Sequence, residues 1–475
     1  MAATAPVRIL PRSEHNISRT HIDPDALKVL YRLHRNGHMA YLVGGSVRDL
    51  LLGRVPKDYD IGTDARPEQI LELFRNSRII GRRFPIVHVL FGGGKVVEVA
   101  TFRAGGGDED VLTGGPDDDG NPDQAADLTA AEEPGMEGRE GGFAESAAPH
   151  PGGGEDRPRQ ERDRWGRRLL RRQERSRRLV ESLAAQHYGS PAEDAWRRDL
   201  TINGLFYDIA DFSVIDYVGG LEDLEAGIIR SIGDPEERFV SDPVRMIRAL
   251  RHAARIGFTI EAASWSAILR HREKIAQCNR ARLLEEFYRD LRSGAAFASL
   301  RLMKKSGVLG VMLPELDLYL PDWDPEGGKP EPMAWRRLEI LDARAAQGAG
   351  FSPAFLLAFL FAFPLLDFLA DEERRLHPAK PDTGRLAFRF LKPMTSKLGV
   401  ARRDTERLFL IAISQRRLAR CRDGLPIPAF FRNKPYFDEA YELFALDSEA
   451  RGAAAPDLAF SGRRSRQRSR RRSRR

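Results

Sequence analysis

The chain has 475 residues, 42% of them hydrophobic and 31% charged, with a formal net charge of +7. That length allows two or more domains with real cores, and the basic balance suits a polyanionic partner, nucleic acid or an anionic membrane, without choosing between them. The two cysteines, Cys278 and Cys421, sit in no CxxC pattern and beside no histidine cluster, which argues against a zinc site or a disulfide scaffold and fits a reducing compartment.

Met1–Arg12 lacks the basic-then-apolar pattern of a secretion signal. Ile22–Asn36 reads as an amphipathic helix started by Asp23-Pro24, with Leu27, Leu30, Tyr31 and Leu33 on one face. Ala40–Val43 is a short buried strand that stops at Gly44-Gly45, Val47–Leu52 is helical, and Tyr59–Gly62 is a second strand. Arg66-Pro67 opens a helix reaching about Phe74, and Ile86–Phe91 and Val96–Phe102 are strands around the turn Gly92–Gly94. From Ala104 to about Asp156 Gly, Asp, Glu, Pro and Ala dominate, a composition expected to be disordered, and a dense arginine block follows over Arg157–Arg178. Leu205–Ile209 and Val214–Val218 are further strands, and Asp242–Phe444 reads as helices joined by turns. Within it Phe351–Leu369 is strongly apolar, but Pro353, Pro364 and Asp367 interrupt it. About ten uninterrupted residues remain where a membrane span needs roughly 20, so a buried core helix of a soluble protein is expected. Arg463–Arg475 is an Arg/Ser tail with nothing to bury, and no internal repeat is present.

The chemistry concentrates in Leu42–Asp49, which reads LVGGSVRD, and in Lys57-Asp58-Tyr59-Asp60. Two glycines leaving a strand let the backbone come close to an anion, and the following helix aims N–H groups at the same place. On a strand, the spacing of Asp58 and Asp60 puts both carboxylates on one face. Hard oxygen ligands beside a phosphate-binding turn are what a two-Mg²⁺ site for a triphosphate requires. A lone Gly-Gly is usually a tight turn and a lone Asp-x-Asp usually surface charge; the two in this order, with Arg48 and Asp49 between them, are far more specific. Glu98, a charge inside the apolar strand Val96–Phe102, is the candidate third carboxylate, expected to be buried near a metal or an arginine such as Arg103. Asp242-Pro243 reads as an N-cap and first helical residue. The helix it opens would carry Arg245, Arg248, Arg251 and Arg255 on one sector and Met246, Leu250 and Ala254 on another.

Gly44-Gly45-x-Val47-Arg48-Asp49 with Leu52-Gly53 and Asp58-x-Asp60 resembles the signature of the tRNA nucleotidyltransferase/poly(A) polymerase family, whose catalytic head is DNA polymerase beta-like. The resemblance continues in Arg197–Asn203, similar to the ribose- and base-facing motif. Asp216–Leu224 is similar to the flexible segment from head to neck, and Asp234–Phe239 with Asp242–Ala249 to the nucleotide-selecting helix. It covers about Ile9–Ile260 and implies an α+β chain: a nucleotidyltransferase head of mixed sheet and helices, then an all-α neck and body, with a disordered insert and a basic tail. The expected divisions are an extension over 1–21, the head over 22–103 and 188–232, the insert over 104–187, the neck over 233–315, an RNA-binding body over 316–447 and the tail over 448–475.

The resemblance implies Asp58, Asp60 and Glu98 as catalytic residues, with Asp58 and Asp60 holding two Mg²⁺ ions. It implies Gly44, Gly45, Arg48, Arg198, Asp199, Asn203, Asp242, Arg245 and Arg248 as nucleotide-binding. Asp242 and Arg245 would bond the incoming base, and Asp199 a ribose hydroxyl. The implied reaction is attack of an RNA 3′-hydroxyl on the α-phosphate of ATP, in the cytoplasm, on mRNA, other transcripts or tRNA, with no membrane and no named protein partner. Arg12–Arg19, Gly81–Val89 and Phe430–Tyr441 resemble bacterial poly(A) polymerases more than CCA-adding enzymes. Polyadenylation is therefore the leading reading, CCA addition the second, and a catalytically silent RNA-binding protein of the same fold the third.

Overall fold

The computed structural model describes residues 6–81, 85–104, 188–323, 327, 330–376, 382–422 and 427–453. The predicted insert over 104–187, apart from Ala104, lies outside the described residues, as do Arg82–Phe84 and the Arg/Ser tail. The chain divides into two compact units, one within Thr4–Arg198 and Asn203–Val218, the other comprising Asp199–Ile202 and the chain from Gly219 onward.

The first unit is built on a sheet of eight strands: β1 (Arg8–Leu10), β2 (Ala40–Val43), β3 (Asp60–Thr63), β4 (Ser77–Ile80), β5 (Ile86–Leu90), β6 (Val96–Thr101), β7 (Leu205–Asp208) and β8 (Val214–Asp216). Their order is β1-β8-β7-β2-β3-β6-β5-β4, and only β3 and β6 pair in parallel. Strand β2 lies between β7 and β3, and all four of its residues are buried. In β5 and β6 inward valines alternate with more exposed residues, the period of a half-buried strand. Helix α1 (Pro24–Arg35) is locally encoded: the Asp23 carboxylate accepts from the N–H groups of Asp25 and Ala26, and Pro24 follows at the first helical position. It buries Ala26, Val29, Leu30 and Leu33, with the larger three worth on the order of 2 kcal/mol each. Tyr41, Phe102, Phe206 and Tyr217 form an aromatic cluster with centroids about 6 Å apart. Gly62 makes room for it, since a Cβ there would stand 2.6 Å from Phe102 Cε1. Helices α2 (Gly45–Leu51), α3 (Pro67–Leu73) and α4 (Pro191–Arg197) complete the unit, α4 opened by a Ser190/Glu193 capping box.

The sequence reading misses β1 and β4, the two edge strands, each too short for its pattern to declare itself. Helix α2 also starts at Gly45, two residues earlier than expected, so the second glycine already belongs to it.

The second unit is helical apart from the parallel pair β9 (Ile228–Ile229) and β10 (Thr259–Ile260), which was not expected. Its helices begin with α5 (Gly220–Ala226), α6 (Pro235–Ser241), α7 (Val244–Ile256), α8 (Ala262–His271) and α9 (Arg280–Leu291). Asp234, not Asp242, is the side-chain N-cap here: its carboxylate accepts from the Glu236 N–H, whereas Asp242 closes α6 and its side chain caps nothing. Later helices include Met333–Ala346, Pro353–Leu376, Thr383–Leu398, Arg402–Arg422 and Phe437–Ala450. The apolar stretch corrects a second expectation, because Pro364 does not break it and Pro353–Leu376 is one helix. By length and composition that helix could cross a membrane, but 61% of its apolar window is buried in the protein. The tail expected from 448 also begins later, since Ser448–Ala450 ends a helix and Ser448 is fully buried.

Candidate active site

In the first unit the chain leaves β2 into Gly44, whose backbone has φ 74° and ψ −137°. This is a left-handed position that disfavours any side chain, and a Cβ at Gly44 would also stand 2.9 Å from Arg198 Nη1. The turn is held from beneath. Ser46 Oγ donates to the Val43 carbonyl at 2.9 Å, and the Gly44 N–H donates to Leu205 O at 3.2 Å. Arg48 is 1% exposed; its Nε and Nη2 donate to Asp49 Oδ1 at 2.8 and 2.7 Å, and Nη1 donates to Asn203 Oδ1 at 2.7 Å. Arg48 and Asn203, expected to bind nucleotide, bond to each other, and Arg48 also to Asp49. They lock α2 to the start of β7 and so shape the turn. Arg198 stays accessible beside Gly44, paired with Asp194 at 3.0 Å and lying over the Phe206 ring.

Strand β3 begins at Asp60, so Asp58 stands just ahead of the paired strand instead of on it. Register sets Asp60 directly beside Glu98 on the parallel strand β6. Glu98 corrects the expectation of a buried carboxylate: its side chain is 48% exposed, and its basic neighbour is His88, with Nε2 3.3 Å from Oε1. Burial was inferred from apolar neighbours in sequence, but alternation along β6 sends Val97 and Val99 into the core and Glu98 to the other face. Water reaches Asp60, yet protein crowds it. That desolvation, with the charges of Glu98 and Asp58, pushes its pKa up to about 6 against the pull of Arg198. Among the described residues no three His, Cys, Asp or Glu side chains are drawn close enough to hold a metal by themselves.

In the second unit Asp199 is buried, accepting from the Leu200 N–H at 2.9 Å and from Arg248 Nε at 2.7 Å. Asp199, then Glu286, raise the Arg248 pKa further. Asp242 is buried beside Arg245 at 3.5 Å and accepts from Arg282 Nη2 at 2.7 Å through Oδ2, while Oδ1 has no hydrogen-bond partner among the described residues. Met246 and Leu250 are buried as expected. Arg251, grouped by its spacing with Arg245 and Arg248, is buried against Glu286 at 2.5 Å and Asp290 at 3.8 Å. Burial opposes the charge of Glu286, but Arg251 and Arg248 outweigh it and hold its pKa below the usual carboxylate value. Arg282, Glu286 and Asp290 were not picked out from sequence. Their signal was available: charges four residues apart on α9, on the flank of its apolar face of Leu283, Phe287 and Leu291.

Comparison with known proteins was made on sequence and on fold. The family described as the Poly A polymerase head domain matches residues 40–115 and 161–230. The family described as a probable RNA and SrmB-binding site of polymerase A matches residues 257–320. Poly(A) polymerase I of Escherichia coli is 35% identical over 445 residues, 93% of this chain and 82% of that protein. The Haemophilus influenzae enzyme of the same name is 31% identical over 456 residues, 95% of this chain and 86% of its own. A CCA-adding enzyme of Lactobacillus helveticus is 32% identical over 262 residues, covering 55% of this chain and 48% of itself. The solved Bacillus stearothermophilus CCA-adding enzyme in complex with CTP shares the fold, with TM-score 0.51 and 22% identity over 93% of this chain and 79% of its own. Identity of 31–35% sustained over 93–95% of the chain, together with the matched head-domain family, means that this chain belongs to the bacterial poly(A) polymerase family.

Proposed function

We infer that this protein adds AMP from ATP to RNA 3′ ends without a template, releasing pyrophosphate. The observation that carries the reading is the Asp58, Asp60 and Glu98 group beside the Gly44 turn, in a chain matched almost end to end by poly(A) polymerases. The attacking 3′-hydroxyl oxygen forms a bond to the α-phosphorus as the bond to pyrophosphate breaks. Positioning and charge stabilisation therefore supply most of the catalysis.

The acidic group suits divalent metal. Its ligands are hard oxygens, and the crowding that raises the Asp60 pKa is relieved by a cation. Asp58 and Asp60 would hold two Mg²⁺ ions with Glu98 as the third carboxylate; bound there, the ions neutralise triphosphate charge and acidify the RNA hydroxyl. The chain's own groups do the rest. Gly44 and Gly45 leave room for phosphate against the backbone, and Arg198 offers a positive charge at that turn. Arg48 and Asn203 act by holding the turn, and Arg248 by orienting Asp199 toward a ribose hydroxyl.

Asp242 and Arg245 select the base. The unpartnered Oδ1 of Asp242 accepts from an exocyclic amino group and Arg245 donates to the neighbouring ring nitrogen. Adenine and cytosine both present that donor–acceptor pair, whereas guanine and uracil present the reverse. The free thiol of Cys278 fits action in the reducing cytoplasm.

The test offers purified protein a generic RNA and a tRNA lacking its CCA end, each with ATP or CTP. Successive AMP additions that EDTA abolishes are expected. Addition of two C and one A to the tRNA, then arrest, would establish CCA addition instead, and no incorporation with Mg²⁺ a silent RNA-binding protein.

A further inference from the structure

The strands that bear the acidic group continue a polar row beyond it. Asp60 on β3 is in register with Glu98 on β6, Glu98 with His88 on β5, and His88 with Arg78 on β4. Directly opposed residues on neighbouring strands share a face of the sheet, so four titratable side chains run in line across four strands. The row ends in two buried nitrogens with no hydrogen-bond partner among the described residues, His88 Nδ1 and Arg78 Nε.

The chemistry of the central pair sets a direction. An ionised carboxylate only accepts, so for the imidazole nitrogen that faces Glu98 at 3.3 Å, Nε2, to hold it, that nitrogen must carry the hydrogen. The two side chains are unequally restrained. Glu98 is about half exposed and has three rotatable bonds, so each contact that fixes its carboxylate narrows its choice of rotamers. His88 is 20% exposed, with buried Val87 and Val89 on either side of it in β5, and it gives up little freedom in holding its partner.

We propose that His88 is a positioning residue for nucleotidyl transfer, its Nε2–H holding the Glu98 carboxylate in the rotamer that keeps it beside Asp60. This rests on the reading of Glu98 as one of the three catalytic carboxylates. Partners that orient a catalytic carboxylate in this way are worth about 10- to 100-fold in activity.

The test uses the full chain and measures kcat and the KM for ATP in His88→Ala, His88→Gln, His88→Asn and Glu98→Ala, and in the Glu98→Ala/His88→Ala double variant. His88→Ala should lower kcat about 10- to 100-fold with KM little changed. Gln, whose amide nitrogen reaches the place of Nε2, should recover most of that loss, and the shorter Asn should not. Against a Glu98→Ala background His88→Ala should cost nothing further. Independently of activity, ¹⁵N-histidine spectra of the protein without ATP should show His88 as the Nε2–H tautomer, altered in Glu98→Ala. The proposal is overturned by multiplicative losses in the double variant, by Gln failing as badly as Ala, or by an Nδ1–H tautomer. Normal turnover in Glu98→Ala would instead remove the carboxylate assignment itself, and the proposal with it.

Discussion

Asp290 offers a measurement of how much the buried charge network behind α7 contributes. Its side chain is fully buried; Oδ1 accepts from Ser299 Oγ at 3.2 Å and lies 3.8 Å from Arg251, while Oδ2 has no partner among the described residues. Burial outweighs the help of Arg251 and pushes its pKa up to about 7 from an ordinary 3.8. With the folded value raised, stability is fully present below about pH 4 and is lost as pH rises through 7, because the unfolded chain releases its proton first. The loss is about 4 kcal/mol in all, of which about 2 kcal/mol falls between pH 5.5 and 9. Asp290→Asn carries no charge at any pH. It keeps the acceptor for Ser299 but places an amide NH₂ where Oδ2 lacked a partner, at a pH-independent cost of about 1–2 kcal/mol. Urea unfolding of both proteins at four pH values, followed by helix content, should therefore show the variant gaining on the wild type by about 2 kcal/mol from pH 5.5 to 9. A stability difference that is flat with pH, or that moves in favour of wild type, refutes the reasoning.

Asp58→Ala or Asp60→Ala should lower Mg²⁺-dependent AMP incorporation by about three orders of magnitude or more with the circular dichroism spectrum unchanged, since both carboxylates are asked to hold metal; near-normal turnover in either would place the metals elsewhere. Arg245→Ala or Asp242→Ala should cut the preference of ATP over GTP and UTP by about 10-fold or more, the cost of removing one hydrogen bond to the base, read from kcat/KM for each nucleotide. Removing Arg463–Arg475, a run of arginines and serines broken only by Gln467 and with no apolar residue, should weaken RNA binding and reduce its salt slope by roughly 0.7 for each phosphate the tail neutralises, leaving KM for ATP unchanged. Parallel salt plots of equal affinity would show that the tail does not touch RNA.

Much of the site is local and could be read in the chain. Gly44-Gly45 after an apolar tetrad, the Asp58-x-Asp60 spacing and the Asp23-Pro24 helix start each depend on residues a few positions apart, whose sterics act whatever surrounds them. What the sequence could not settle is which distant groups consume one another. Arg48 and Asn203 are 155 positions apart and read as two nucleotide ligands, yet they bond to each other in the interior. Asp242 reads as a helix cap, but the arrival of Arg282 from α9 gives its carboxylate a stronger partner than a backbone N–H. Glu98 reads as buried because its neighbours in the chain are valines; the pleat turns it outward, and pairing across the sheet supplies Asp60 on one side and His88 on the other. Composition and period determine which residues form a strand or a helix, and so which are eligible for the site. Strand order and helix packing decide which charges are desolvated together, and a charge's role depends on its nearest partner in space, which one-dimensional spacing does not carry.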